Sequence, residues 1–161
     1  MMEVSSLLEL RGYVQLFIKR FGLLEQTVTP CGYSLSLSQV FALQELEKAT
    51  LTLTELAEKL QLERSSVSRL VDQLVKGGFV HREPNEQNRR EVKLSLSDKG
   101  ERSIINVREQ SIRYYSTLLD EVSEEERRQV VAGFRIFADA LLKAKQRDFE
   151  LGSKTSMSGA K

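Results

Sequence analysis

The chain has 161 residues, of which 24 are Lys or Arg and 23 are Asp or Glu, giving a net charge of +1 at pH 7. A charge this close to zero gives no indication of nucleic-acid binding, so any such function has to depend on a local arrangement of residues. The apolar share of 40% and the charged share of 29% are typical of a soluble globular protein, and no apolar run is long enough to cross a membrane.

The first predicted element is a long helix over residues 3–27. Its apolar residues recur at steps of three and four, which forms one stripe along a helix. They are Leu7, Leu10, Val14, Phe17, Phe21 and Leu24. Residues 29–32 are expected to end the helix, because they contain Pro30 and Gly32 and both residue types break helical hydrogen bonding.

Three shorter helices are predicted next. Capping boxes over residues 36–39 and 52–55 open two of them, since a hydroxyl at the helix start is followed three positions later by Gln or Glu. The third covers residues 63–76 and ends at Gly77-Gly78, because glycine readily adopts the left-handed conformation that follows a helix. Its apolar stripe consists of Val67, Leu70, Val71 and Leu74.

A β-hairpin is predicted after this helix. Residues 79–82 have strand propensity, and residues 91–96 alternate polar with apolar side chains at a period of two. The polar residues 83–90 between them include turn formers and predict a long tip.

Two long helices complete the prediction. One is capped by residues 97–100 and runs to about Val122, and a capping box over residues 123–126 opens the other. Residues 151–161 are small and polar and predict a disordered tail. The predicted fold class is mainly α with a small β-hairpin wing, namely a winged helix-turn-helix domain flanked by long helices.

The helix over residues 63–76 has a polar face that could read DNA. Opposite its apolar stripe, near its start, lie Arg64, Ser65, Ser68 and Arg69, followed by Asp72. Recognition helices present such N-terminal side chains to base edges and phosphates in the major groove. The alternative is an ordinary amphipathic surface helix whose polar face is simply solvated.

The tip of the hairpin carries Arg89 and Arg90. An arginine on a thin projection can enter a minor groove, where the negative potential is strongest when the groove is narrow. The alternative is a solvent-exposed loop with scattered charge. The charge pattern alone is weak evidence for either interpretation. The order of the elements, helices followed by a hairpin, favours the DNA-binding interpretation.

Two stretches of the sequence resemble the MarR family of transcriptional regulators. Residues 62–74 and 76–80 are similar to the family's recognition helix and the segment that leaves it. Residues 83–90 and 92–100 are similar to its wing and the start of the helix that follows. The two stretches occur in the family's order, and the long flanking helices fit as well.

The resemblance implies a homodimer that binds double-stranded DNA at a pseudo-palindromic operator. It implies that Ser65, Ser66, Ser68 and Arg69 contact the major groove and that Arg90 enters the minor groove. It also implies dimerisation through the first helix within residues 1–30 and the two helices within 98–150, around a DNA-binding region at 36–97. Repression relieved by a small-molecule effector is a further expectation.

One position departs from the family pattern. The family usually has an aspartate two residues before the wing arginine, and this chain has Asn88. An aspartate would orient the arginine through a charged hydrogen bond, whereas asparagine accepts a hydrogen bond without a charge. Asn88 is kept as a candidate wing residue together with Arg89 and Arg90.

Five aromatic residues are candidates for an effector pocket between the dimerisation helices and the DNA-binding region. They are Tyr13, Phe17, Phe41, Tyr114 and Tyr115. The alternative is that they belong to the core, as aromatics at helical spacing usually do.

Few other residues could carry chemistry. Cys31 could sense oxidants or be an incidental thiol, and His81 could touch a phosphate or be an ordinary strand residue. With one histidine and no recognisable catalytic motif, we expect no enzyme activity, no metal site and no cofactor. The single cysteine and the lack of a signal-peptide pattern predict a cytoplasmic location. A protein–protein adaptor without DNA affinity is the alternative function.

Overall fold

The structure, a computed structural model, describes residues 3–23, 34–88 and 90–157, with side chains through residue 147. The chain divides into two compact units, Met1–Tyr114 and Tyr115–Lys161. The helices are α1 Val4–Arg20, α2 Leu37–Lys48, α3 Leu53–Leu60, α4 Arg64–Lys76, α5 Asp98–Leu118 and α6 Glu124–Met157. The strands are β1 Leu51–Thr52, β2 Val80–Pro84 and β3 Val92–Leu96, so the predicted fold class is confirmed.

All three predicted capping boxes are present. At the start of α2, Ser36 Oγ accepts a hydrogen bond from the Gln39 N–H at 3.2 Å, and Gln39 Oε1 accepts one from the Ser36 N–H at 2.9 Å. Thr52 and Glu55 form the same pair of bonds at α3, and so do Ser123 and Glu126 at α6. Because each box satisfies N–H groups that a helix start leaves unbonded, these local sequences determine where the three helices begin.

The sheet has three strands, one more than the sequence predicts. β3 lies in the centre, antiparallel to β2 over Val80–Pro84 and to β1 at Leu51 and Thr52. The sequence does not predict β1, because two residues are too few to show a period and the strand is defined only by its pairing with β3. Leu51 is buried opposite Leu94 and anchors the wing to the helices.

The core of the first unit lies between α2, α3, α4, α5 and the sheet. Its largest fully buried side chains are Leu43, Leu56, Leu74, Leu94, Ile104, Val67 and Val71. Burying each such side chain stabilises the fold by about 1.5–3 kcal/mol. The predicted apolar stripe of α4 is the buried one, which leaves its polar face outward.

Two predicted helix ends are wrong. The first helix ends at Arg20 and not at residue 27, because Gly22 adopts a left-handed φ of 77° that stops the helical hydrogen bonding. The predicted stop at residues 29–32 lies outside the described residues. The fifth helix ends at Leu118 and not near Val122, since a turn and the Ser123 cap of α6 follow directly.

The end of α6 overlaps the tail that is predicted over residues 151–161. α6 continues to Met157 and so covers residues 151–157, while 158–161 lie outside the described residues. Each residue added to the end of an existing helix gains one hydrogen bond without a new nucleation step, and residues 151–157 contain no proline.

Large apolar side chains remain exposed on the long helices of each unit. On α1 they include Leu8 at 60% and Tyr13 at 63%, and on α6 they include Val131 at 67% and Leu141 at 52%. None of the helices in the described ranges combines the length and the apolar character needed to cross a membrane. Exposed apolar patches of this kind usually mark a surface that another molecule covers.

Candidate nucleic-acid interface

A tight turn orients α4 relative to α3. Gln61 has a left-handed φ of 53°, and the Leu62 N–H bonds back to the Ala57 carbonyl at 3.1 Å. Val67 then packs inward with 0% exposure. As a result, Arg64, Ser65 and Arg69 are exposed, while Ser66 and Ser68 are half-buried.

The start of α4 combines hydrogen-bond donors with two carboxylates. Its N-cap residue Glu63 makes no side-chain capping bond. The first N–H groups of a helix have no acceptor within it, and the helix dipole attracts phosphate to that end. An open cavity of about 550 Å³ lies beside it, lined by polar side chains such as Thr54, Arg64 and Ser66 and also by the acidic residues Glu58 and Glu63. Backbone N–H groups, Arg64 and Ser66 are therefore the donors at this helix start, and the carboxylates of Glu58 and Glu63 oppose an anion there.

The end of α4 is tied to the start of α5. Gly78 has φ 75°, which confirms the predicted glycine stop. Ser97 Oγ donates to the Gly78 carbonyl at 2.6 Å, and Lys99 Nζ donates to the Gly77 carbonyl at 2.7 Å. Lys99 Nζ also lies 4.4 Å from the centre of the Phe79 ring. These contacts hold the C-terminal end of α4.

The wing tip is organised by two asparagines. Asn85, only 7% exposed, accepts a hydrogen bond from the Gln87 N–H at 3.1 Å through its Oδ1. Asn88 Oδ1 accepts one from the Arg90 N–H at 3.2 Å. Arg90 is exposed, and Arg89 lies outside the described residues. Asn88 thus supports the backbone of the predicted wing arginine.

Sequence reasoning missed the structural role of Asn85. The available signal was the Pro84-Asn85 pair, since asparagine after proline favours turns in which the side chain bonds to the backbone. The sequence analysis predicts only a polar loop with turn formers over residues 83–90.

An ion pair that the sequence does not predict joins α4 to the wing. Arg82 Nη2 on β2 lies 2.7 Å from Asp72 Oδ1 on α4. Asp72 belongs to the polar face of α4, and Arg82 pairs with Leu94 of the central strand. The pair connects the two candidate DNA-reading elements directly.

The structure brings together only some of the five aromatic candidates. Phe17 stacks on Phe21 with ring centres 4.9 Å apart, and Phe21 meets Tyr114 edge-on at 6.4 Å. Tyr13 and Phe41 are exposed, and Tyr115 belongs to the second unit. A cavity of about 430 Å³ beside Lys48, Ser95 and Glu101 is lined by none of the five.

His81 and Cys31 are the remaining candidates. His81 is exposed on β2, and Cys31 lies outside the described residues. Within the described ranges, no group of three or more His, Cys, Asp or Glu side chains is placed to hold a metal.

Among the described residues, two carboxyl groups have lowered pKa values. Hydrogen bonds from the backbone and hydroxyl of Thr52 lower the pKa of Glu55 below 4.5, and bonds from the hydroxyl and backbone of Ser123 do the same for Glu126. Both carboxylates are partners of the N-cap residues in capping boxes, so these shifts concern stability and not a reaction.

Comparisons with known proteins place the chain among regulators of one type. The model of the MarR family matches residues 35–92. Two proteins of Bacillus subtilis (strain 168) are similar to it. YfiV, an uncharacterized HTH-type transcriptional regulator, is 32% identical over 97 residues, covering 60% of this chain and 61% of YfiV. The HTH-type transcriptional repressor MdtR is 33% identical over 78 residues, covering 48% and 46%. The chain thus spans about half the length of these curated relatives.

A solved structure extends the similarity over nearly the whole chain. The MarR family protein from Bacillus stearothermophilus is 30% identical, with 88% of this chain and 99% of that chain covered and a TM-score of 0.66. The likeness therefore includes the helices on both sides of the winged helix-turn-helix region.

Proposed function

The chain belongs to the MarR family of DNA-binding transcriptional regulators, which are not enzymes, and from this premise we propose that it binds an operator in double-stranded DNA with α4 in the major groove and the wing in the adjacent minor groove. The observation that carries the proposal is the polar face of α4, which is held outward by the buried face formed by Val67, Leu70, Val71 and Leu74. A major groove about 12 Å wide admits one such helix.

The proposed contacts divide by element. Ser65, Ser66, Ser68 and Arg69 read base edges and phosphates from α4, with Arg64 near the phosphate attracted to the helix start. Arg90, with Arg89 and Asn88 beside it, serves the minor groove from the wing. This division is supported by the exposure of Arg69 and Arg90 on two elements of one compact unit.

We propose that the working unit is a homodimer on a pseudo-palindromic operator. Two copies of α4 must lie about 34 Å apart to enter successive major grooves. The exposed apolar side chains of α1, α5 and α6 support this, because a second copy of the chain would cover them.

We further propose that the protein acts in the cytoplasm as a repressor and that a small molecule releases it from its operator. The repressor role of the relative MdtR supports it. An effector that moves the dimerisation helices would change the spacing of the two α4 helices and so weaken DNA binding. Tyr13, Phe17, Phe41 and Tyr114, which all belong to the first unit, are the proposed effector contacts.

The test begins with an operator obtained by the protein itself. The wild-type chain selects duplexes from a random-sequence library, and fluorescence anisotropy then measures the Kd for the selected duplex. We expect Arg69→Ala and Arg90→Ala each to weaken binding roughly 5- to 150-fold. Arg113→Ala is the matched control, because it removes the same charge from an exposed site on α5 and should leave the Kd unchanged.

Salt dependence separates this function from the adaptor alternative. Phosphate contacts make log K fall linearly with log salt, with a slope of roughly 0.9 for each phosphate neutralised. Failure of the wild-type chain to enrich or bind any duplex at low salt would remove the DNA-binding proposal and favour the adaptor. Undiminished binding by both arginine variants would instead remove only the assignment of these residues.

A further inference from the structure

Asp72 is an unexpected residue on a surface that faces DNA. It lies three positions after Arg69, on the same face of α4, and its side chain is 58% exposed. A carboxylate there repels the phosphates that the neighbouring arginine attracts. Charge complementarity alone would therefore disfavour an acidic residue at this position.

The ion pair with Arg82 accounts for this residue. Arg82 Nη2 lies 2.7 Å from Asp72 Oδ1, and its side chain is 35% exposed. Ion pairs that remain open to solvent contribute little to the free energy of unfolding, since their attraction is screened. Stability is thus a weak reason for the pair, and its location between two elements suggests another.

Both ends of the bridge are attached to rigid parts of the core. Asp72 follows Val71, which has 0% exposure, and Arg82 is paired in the sheet with Leu94, which also has 0% exposure. A contact between two such anchors restricts the angle between α4 and β2. That angle determines whether α4 and the wing can reach neighbouring grooves together.

We propose that the Asp72–Arg82 bridge is a positioning device that holds α4 and the wing at the angle an operator requires. The proposal rests on the proposed DNA-binding function and extends it to two residues that need not touch DNA. Asp72 acts through Arg82. It therefore changes the difference in affinity between the operator and other DNA, and not the general attraction to phosphates.

Asp72→Asn distinguishes positioning from charge by the sign of its effect. If charge alone matters, removing a carboxylate from the DNA-facing surface tightens binding to every duplex. If the bridge positions the wing, binding to the selected operator weakens while binding to a random-sequence duplex of equal length stays the same or rises. We expect the ratio of the Kd for the random-sequence duplex to the Kd for the operator to fall roughly 5- to 20-fold.

Two further variants control the interpretation. Glu83→Gln removes the same charge from the next residue of β2, and it should change both Kd values about equally. Arg82→Gln breaks the bridge from the other side while lowering the positive charge. Charge alone then predicts equal weakening on both duplexes, whereas positioning predicts the same loss of the ratio as Asp72→Asn.

The outcomes are separable from failure of the proposed function. A wild-type chain that binds no duplex refutes the function itself. A wild-type chain that discriminates, together with Asp72→Asn and Arg82→Gln variants that keep the wild-type ratio, overturns the bridge proposal alone. An Asp72→Glu variant that keeps the wild-type ratio because it retains a carboxylate, with unchanged circular dichroism in all variants, would support the bridge proposal.

Discussion

At the scale of single residues, Asn85 determines the shape of the wing tip. Its buried Oδ1 accepts the Gln87 N–H, and its own N–H bonds to the Glu91 carbonyl at 3.1 Å. The wing arginine therefore depends on a neutral side chain that never needs to contact DNA.

We expect Asn85→Ala to loosen the wing tip. The Gln87 N–H loses its acceptor, so amide hydrogen exchange should accelerate over residues 85–91 and the free energy of unfolding should fall by about 1 kcal/mol. Operator binding should weaken as Arg90 becomes less ordered. Asn106→Ala, at an exposed site on α5, is the control. Unchanged exchange in the Asn85 variant would contradict this role.

The lowered pKa values of Glu55 and Glu126 make the free energy of unfolding depend on pH. Their pKa values are lowered in the folded chain by bonds from Thr52 and Ser123, so their stabilising effect is fully present above the ordinary value of 4.5. It is lost as the pH falls below 4.5 and through the lower folded values, because the unfolded state then binds more protons. Urea unfolding from pH 7 to 3 should show the stability of wild type and Glu55→Gln converging, and a constant difference would refute the role.

At the scale of elements, the junction between α4 and α5 requires a residue without a side chain at Gly100. A Cβ at this position would lie 2.2 Å from the Phe79 carbonyl oxygen and 3.2 Å from Leu96 Cδ2. The same junction contains the bonds of Ser97 and Lys99 to the carbonyls that end α4. The end of α4 and the start of α5 are thus packed as one element.

We expect Gly100→Ala to lower the free energy of unfolding by about 1–3 kcal/mol, because backbone has to move to admit the methyl group. Gly12→Ala on α1 is the matched control, since no atom lies within 4 Å of its added Cβ. That substitution should stabilise the chain by up to about 1 kcal/mol through helix propensity. Equal effects in urea unfolding would show that the junction is not tightly packed.

Elements with local signals were predictable and elements that depend on distant partners were not. The capping boxes of Ser36, Thr52 and Ser123 lie within four consecutive residues each, and all three were predicted correctly. β1 was missed because it exists only opposite Leu94, far along the chain. The candidate site divides in the same way: its polar face follows from the period of α4, whereas the Asp72–Arg82 pair depends on how β2 packs.

At the scale of the whole molecule, the exposed apolar surface outweighs the net charge as a guide to assembly. A charge of +1 neither attracts nor repels a second copy strongly. α6 has 34 residues and is therefore roughly 51 Å long, with Val130, Phe137 and Leu141 forming part of one stripe. The dimer proposal predicts that this stripe is covered when two copies meet.

Leu141→Glu should therefore convert the dimer to a monomer. Its side chain is 52% exposed in the single chain, so a glutamate costs the isolated unit little, whereas burying that charge between two copies is unfavourable. Sedimentation velocity should show half the wild-type mass, and operator affinity should fall at least about 100-fold because one half-site is lost. Gln146→Glu introduces the same side chain at an exposed polar position of α6 and should leave both unchanged. A Leu141→Glu variant that remains dimeric would exclude this stripe from the interface, and a monomeric wild type that binds its operator tightly would refute the dimer.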